Sequence, residues 1–170
     1  MVGLSVVQFL KVGGAENIVV LEPRPKKREL AIQLGADLAL DPAEIGDGCA
    51  NKRVRAMCNG VGADVVYACA NSAAIGSSVD LVRKEGQVIV IGASGAELPV
   101  APFDLLAKAI ELKGVAAYTE EFGIALRLLS RGKMITKPMV SDIIPLEDVV
   151  ERGFARLAVP NDLVRVVVAP

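Results

Sequence analysis

The chain has 170 residues, 19 Lys+Arg against 20 Asp+Glu, no His, three Cys and 52% hydrophobic residues. That length suits one domain, or one domain and part of another, and so apolar a composition excludes intrinsic disorder. A net charge of −1 gives no electrostatic reason to bind nucleic acid or an anionic membrane, and the lack of His removes a common general base and the commonest zinc ligand. The apolar residues 1–10 have neither the basic lead nor the small-residue cleavage site of a signal peptide. No stretch reaches the roughly 18 apolar residues of a membrane span. Residues 2–12 are predicted helical up to Gly13-Gly14. Residues 18–21 form a short β-branched run like a buried strand. A helix follows over 25–34, with Pro25 at its start and Gly35 past its end.

Further along, 38–40 is a short strand, 51–58 a modest helix, 65–70 a buried strand and 72–82 a helix with a Ser cap. Residues 88–91 are a third strong strand stopped by Gly92. A helix is predicted over 103–111 and a strand over 112–117. Strands alternating with helices indicate βαβ units and a parallel sheet, and continuous apolar strands fit a sheet covered on both faces. After Tyr118 the rhythm changes. A helix over 119–131 carries Phe122, Ala125, Leu126 and Leu129 on one face. Met139-Val140 is strand-like, and Ile143-Ile144-Pro145 is a turn. A helix over 146–157 carries Leu146, Val149, Val150, Phe154 and Leu157, and a strand over 163–169 closes the chain. Cys49, Cys58 and Cys69 are odd in number and never near C-x-x-C, which fits reduced thiols in a cytoplasmic protein better than a disulfide framework or a metal site.

Gly3 opens the first helix, and Glu22 ends the next strand 19 residues later. A dinucleotide-binding unit has a G-x-G-x-x-G turn and then an acid about 20 positions on, which accepts hydrogen bonds from the adenosine ribose. By themselves these two residues read equally as a chain-start glycine and a helix-flanking acid. More specific is an ordered set: Gly3-Leu4-Ser5-Val6-Val7-Gln8, Gly35-Ala36-Asp37, Gly60-Val61-Gly62-Ala63-Asp64, Gly86-Gln87-Val88-Ile89-Val90-Ile91-Gly92, Leu112-Lys113-Gly114 and Ile144-Pro145-Leu146-Glu147-Asp148. With these motifs the chain resembles, over essentially its whole length, the medium-chain dehydrogenase/reductase family, in its zinc-containing alcohol, sorbitol, butanediol and threonine dehydrogenase branch.

The resemblance implies the cofactor half of such an enzyme. The fold class would be α/β: a Rossmann-type doubly wound parallel sheet lacking its first strand, plus a C-terminal helix-strand tail belonging to the catalytic domain. Residues 1–118 would be the NAD(P)-binding domain, truncated at its N-terminus, and 119–170 the returning tail. No catalytic or metal residue is assigned to this chain, and zinc is expected only in the catalytic domain that the sequence lacks. By position, Gly3 matches the third glycine of the pyrophosphate turn, Glu22 the ribose-binding acid and Lys27 a basic residue flanking the adenosine. Cys69 and Ala70 match the loop where adenine or ribose packs, although Asn71 stands where the family usually has Gly. Ile91, Gly92 and Ala93 match backbone at the nicotinamide carboxamide, and Val115 and Ala117 the strand end near the nicotinamide. Arg165 matches a basic residue reaching the pyrophosphate, or else is plain charge on an edge strand.

The cofactor implied is NAD, because a carboxylate at position 22 would repel the 2′-phosphate of NADP. Arg24 and Lys27 pull toward NADP, while Lys26-Lys27-Arg28 is more simply a solvated first helical turn. The substrate class implied is a small alcohol or polyol. The alternatives are a zinc-free NADPH quinone reductase of the same superfamily and an inactive nucleotide-binding or oligomerisation module. A homo-oligomer is expected through the segment from Leu98 to Phe103, kept short by Pro99 and Pro102. In the strand order 3-2-1-4-5-6 the absent first strand is central. Strands 18–21 and 65–70 are therefore expected to pair directly, to be bridged by another copy, or to belong to a larger polypeptide. The chain alone is expected to bind NAD weakly or not at all.

Overall fold

The computed structural model describes residues 1–43, 46–92, 95, 97–116, 118, 120–159 and 161–170, with 46–50 described as backbone only. In chain order the elements are α1 (Val2–Val12), β1 (Val19–Leu21), α2 (Pro25–Gln33), β2 (Leu38–Leu40), α3 (Gly46–Met57), β3 (Ala63–Ala68), α4 (Ser72–Leu81), β4 (Val82–Val90), α5 (Pro102–Lys108), β5 (Glu111–Gly114) and α6 (Glu121–Ser130). A 3-10 turn (Lys137–Met139), β6 (Asp142–Pro145), a second 3-10 turn (Leu146–Asp148), a π-helix (Val149–Ala155), α7 (Arg156–Ala158) and β7 (Val166–Ala169) complete the chain. Every strand pair is parallel, in the sheets β1-β2, β3-β4-β5 and β6-β7. The predicted parallel α/β class is therefore the observed one. Among the described residues, β1 pairs with β2 and β3 with β4.

The contacts divide the chain into two compact units: Gly3–Asp41 with Glu120–Pro170, and Pro42–Thr119. In the first, Leu4 and Val7 of α1 pack with Ile18, Ala31, Leu34, Ala36 and Met139. Residue 139 lies in the tail, so 120–170 shares a core with the first βα segment. Gln8 ties the two together. It is 5% exposed, its amide nitrogen donates to the Ile135 carbonyl at 3.0 Å, and its carbonyl accepts from the Ile135 N–H at 2.8 Å.

In the second unit, Ala68, Ile75, Val82 and Val88 form the core, with Val66, Val90, Ile110 and Leu112 against it. β4 starts earlier than the strand predicted at 88–91, reaching back over Glu85, whose φ is +57°. The cap of α4 is Asn71 rather than the predicted Ser72: its side-chain oxygen accepts from the Ala74 N–H at 3.1 Å, satisfying one of the orphan donors of the first turn. At the other end of α4 the Lys108 ammonium donates to the Val79 carbonyl at 2.7 Å, where a cation also complements the helix dipole.

Two predictions for the tail are corrected. Residues 143–145 lie in a strand, β6, rather than a turn. The helix predicted over 146–157 is a 3-10, π and α succession. Its buried residue is Gly153, where an added Cβ would meet Ile144 Cδ1 at 3.4 Å. Leu146, Val150 and Phe154 of the predicted apolar face are exposed.

Candidate functional site

In the first unit the predicted residues sit beyond β1 and beside α1. Glu22 follows the last residue of β1 and is held by its own backbone at two points. Its N–H donates to the Leu40 carbonyl at 3.0 Å, prolonging the β1-β2 ladder by one rung. Its carbonyl accepts from Arg28 Nη1 at 2.8 Å. The side chain folds over the turn, with Oε1 accepting from the Arg24 N–H at 3.1 Å. Pro25 then opens α2 at a position where no donor is needed. Lys27 lies in the first turn of α2, half-buried.

Gly3 lies in the first turn of α1, half-buried. Arg165, exposed and immediately before β7, donates from Nε to Met1 Sδ at 2.9 Å. The structure thus brings Arg165 to the N-terminal turn that carries Gly3, where an aligned helix dipole and free N–H groups favour an anion.

In the second unit the predicted residues gather at the C-terminal ends of β3, β4 and β5. Cys69, half-buried, and Ala70, exposed, follow β3; burial pushes the Cys69 thiol up. The N–H groups of Ile91 and Gly92 both donate to the Ala68 carbonyl, at 3.0 and 2.9 Å. The chain after β4 is drawn so close to the chain after β3 that a Cβ on Gly92 would overlap the Ala70 backbone, 2.8 Å from its carbonyl carbon and 2.9 Å from its nitrogen. The Val115 N–H donates to the Val90 carbonyl at 3.1 Å, and its side chain is exposed. Ala93 and Ala117 lie outside the described residues. The carboxyl ends of parallel strands are where open α/β sheets bind ligands.

Sequence reasoning missed one pair. Arg28, read as a solvated residue, donates to Asp41 Oδ2 at 2.9 Å, with only 16% and 11% of the two side chains exposed. The available signal was electrostatic. A cation in the first turn of a helix opposes the dipole and calls for a compensating partner.

The model of the family described as zinc-binding dehydrogenase matches residues 2–131. The chain belongs to the zinc-binding dehydrogenase family. Among curated relatives, (R,R)-butanediol dehydrogenase of Bacillus subtilis (strain 168) is 26% identical over 170 residues, covering 99% of this chain and 48% of the relative. Sorbitol dehydrogenase of the same organism is 29% identical over 172 residues, covering 99% and 48%. Among solved structures, 2R,3R-butanediol dehydrogenase from Bacillus subtilis superposes with a TM-score of 0.87 at 25% identity, over 99% of this chain and 48% of that one. A Sinorhizobium meliloti 1021 protein solved bound to NADP gives a TM-score of 0.84 at 26% identity, over 99% and 49%. The chain spans about half the length of these dehydrogenases and corresponds to their C-terminal, cofactor-binding portion.

Proposed function

We propose that this chain binds and orients NAD in a dehydrogenase that transfers a hydride between a small alcohol or polyol and the nicotinamide. The observation that carries this reading is the close approach of Gly92 to the Ala70 backbone at the carboxyl ends of β3 and β4. It packs the two chain ends backbone against backbone at the carboxyl edge of the sheet, where open α/β sheets bind ligands. The peptides of Ile91 and Gly92, beside Cys69 and Ala70, would meet the nicotinamide carboxamide, with Val115 near the ring; Ala93 and Ala117 are proposed for the same role. Glu22 would accept the adenosine ribose hydroxyls, with Lys27 flanking the adenosine. Gly3 and Arg165 would meet the pyrophosphate through N–H groups and a guanidinium. When bound, the cofactor supplies the hydride acceptor or donor, and this chain's part is placement.

Zinc does not fit these residues. Among the described residues no three His, Cys, Asp or Glu side chains converge, so no step through the metal is assigned to this chain. Residues 1–118 would act as the cofactor domain and 119–170 as the tail returning to the catalytic domain. Association of copies would run through the segment from Leu98 to Phe103. Residues 98–101 lie outside any described strand, with the Val100 N–H donating to the Leu98 carbonyl at 2.9 Å, and Phe103 lies exposed in α5. A cytoplasmic setting suits Cys58 and Cys69, which are both free thiols.

NAD is favoured over NADP by the Glu22 carboxylate, and the NADP-bound neighbour makes this choice the one to test. In the complete enzyme, kcat/KM with NAD should exceed that with NADP. Glu22→Gln should narrow the ratio about tenfold by removing charge repulsion against the 2′-phosphate. Faster turnover of NADP by the unaltered enzyme at equal concentration would show the assignment of Glu22 to be wrong. Dehydrogenase activity with NAD, absent when the region 1–118 is deleted, separates an enzyme from an inactive nucleotide-binding module.

A further inference from the structure

We propose that Arg28 is a positioning residue for the Glu22 carboxylate, and that Asp41 keeps its guanidinium from acting as a 2′-phosphate ligand; this rests on the NAD reading given above. One nitrogen, Nη1, makes both bonds: to the Glu22 carbonyl at 2.8 Å and to Asp41 Oδ2 at 2.9 Å. The carbonyl belongs to the residue whose carboxylate is to face the ribose. Arg28 therefore fixes the peptide from which that carboxylate projects, while the Leu40 carbonyl fixes the other side through the Glu22 N–H. Asp41 directly follows Leu40, the last residue of β2. A single guanidinium thus clamps the ends of both strands of the β1-β2 sheet.

The clamp has a second consequence. Of the four cations that closely follow Glu22, Arg24, Lys26, Lys27 and Arg28, the last is paired largely out of water, whereas the Lys26–Asp162 pair lies in solvent. An arginine is the preferred bidentate partner of phosphate, and one sitting six residues past the ribose acid would otherwise favour a 2′-phosphorylated nucleotide. Discrimination against that phosphate is therefore shared between the carboxylate that repels it and the aspartate that occupies the guanidinium.

The test is ligand-observed NMR titration of the complete enzyme with 5′-AMP and with adenosine 2′,5′-bisphosphate, a method suited to weak binding. The unaltered enzyme should favour 5′-AMP. Asp41→Asn should shift the ratio about fivefold toward the bisphosphate, and Arg28→Met should weaken 5′-AMP about fivefold without tightening the bisphosphate. Arg28→Lys, which retains a donor at the end of the side chain, should restore most of the ratio. If Arg28→Met unfolds at the titration temperature, Asp41→Asn reads the same pair from its other side. Equal weakening of both nucleotides in step with a lowered melting temperature, or an unchanged ratio in Asp41→Asn, overturns the proposal and leaves the NAD reading standing. No binding of either nucleotide by the complete, unaltered enzyme, or a preference for the bisphosphate, overturns both.

Discussion

Gln8 is a polar residue on the buried side of an apolar helix, and its amide is fully engaged. It donates to the Ile135 carbonyl and to Met139 Sδ and accepts from the Ile135 N–H. Gln8→Leu keeps the volume but leaves both backbone groups of Ile135 without these partners. It should cost about 1–2 kcal/mol, seen as a lower urea midpoint at an unchanged slope. Gln8→Glu should cost more, because it buries a charge. A midpoint unmoved by Gln8→Leu would mean that water replaces the amide without loss. Gln8 stood in the first recognised motif, yet nothing in the sequence marked its partner 127 positions away. Glu22 and Gly92 could be placed at strand ends because each follows a β-branched run; their parts toward a cofactor came from the family resemblance. The Arg28–Asp41 pair was not, because charge clusters in a first helical turn usually face solvent.

The parallel strands were readable as elements from their continuous apolar runs, and the helices from Pro starts and Gly ends. What failed was the tail, where 146–157 has a helical apolar period but a π-helix forms. Periodicity reports which face is apolar, not whether the turn is wide or narrow. The π-helix and the short α7 also hold an acid. Asp142, at the start of β6, accepts from Arg156 Nη1 at 2.6 Å, and Arg152 lies 3.5 Å away. The Arg156 hydrogen bond, aided by both guanidinium charges, holds its carboxyl below the usual aspartate value. The folded form therefore binds the charged carboxylate more tightly than the unfolded chain does. The contribution is complete above the unfolded aspartate value and is lost as pH falls through the folded one. A carboxyl-carbon NMR titration should place the Asp142 midpoint below that of an ordinary aspartate, and Arg156→Gln should return most of the difference. An ordinary midpoint in the unaltered chain would show the ion pair to be absent in solution.

At the scale of the whole molecule, the family and its parallel fold were legible in the ordered motifs, whereas the grouping of contacts was not. The tail was read as an appendage, yet residues 120–170 share a core with 3–41, because Met139 and Val164 reach a helix more than a hundred residues earlier. Each unit also carries large apolar side chains in water. In the second, Phe103 and Leu106 of α5 are 74% and 77% exposed; in the first, Leu146, Val150 and Phe154 form a run in which Phe154 is 67% exposed. Lone apolar side chains on a surface are ordinary, but grouped ones mark surfaces that associate. The chain should accordingly bind a hydrophobic dye and scatter light as a species larger than its monomer. Leu106→Glu and Phe154→Glu, on different units, should each reduce dye binding without lowering the melting temperature, since neither side chain contributes to a core. The variant that also reduces the scattering mass identifies the self-associating face. If that is Leu106→Glu, association lies beside the segment from Leu98 to Phe103, as proposed; if only Phe154→Glu acts, copies join through the tail. A monodisperse monomer with no dye enhancement would show that neither face is available to a partner.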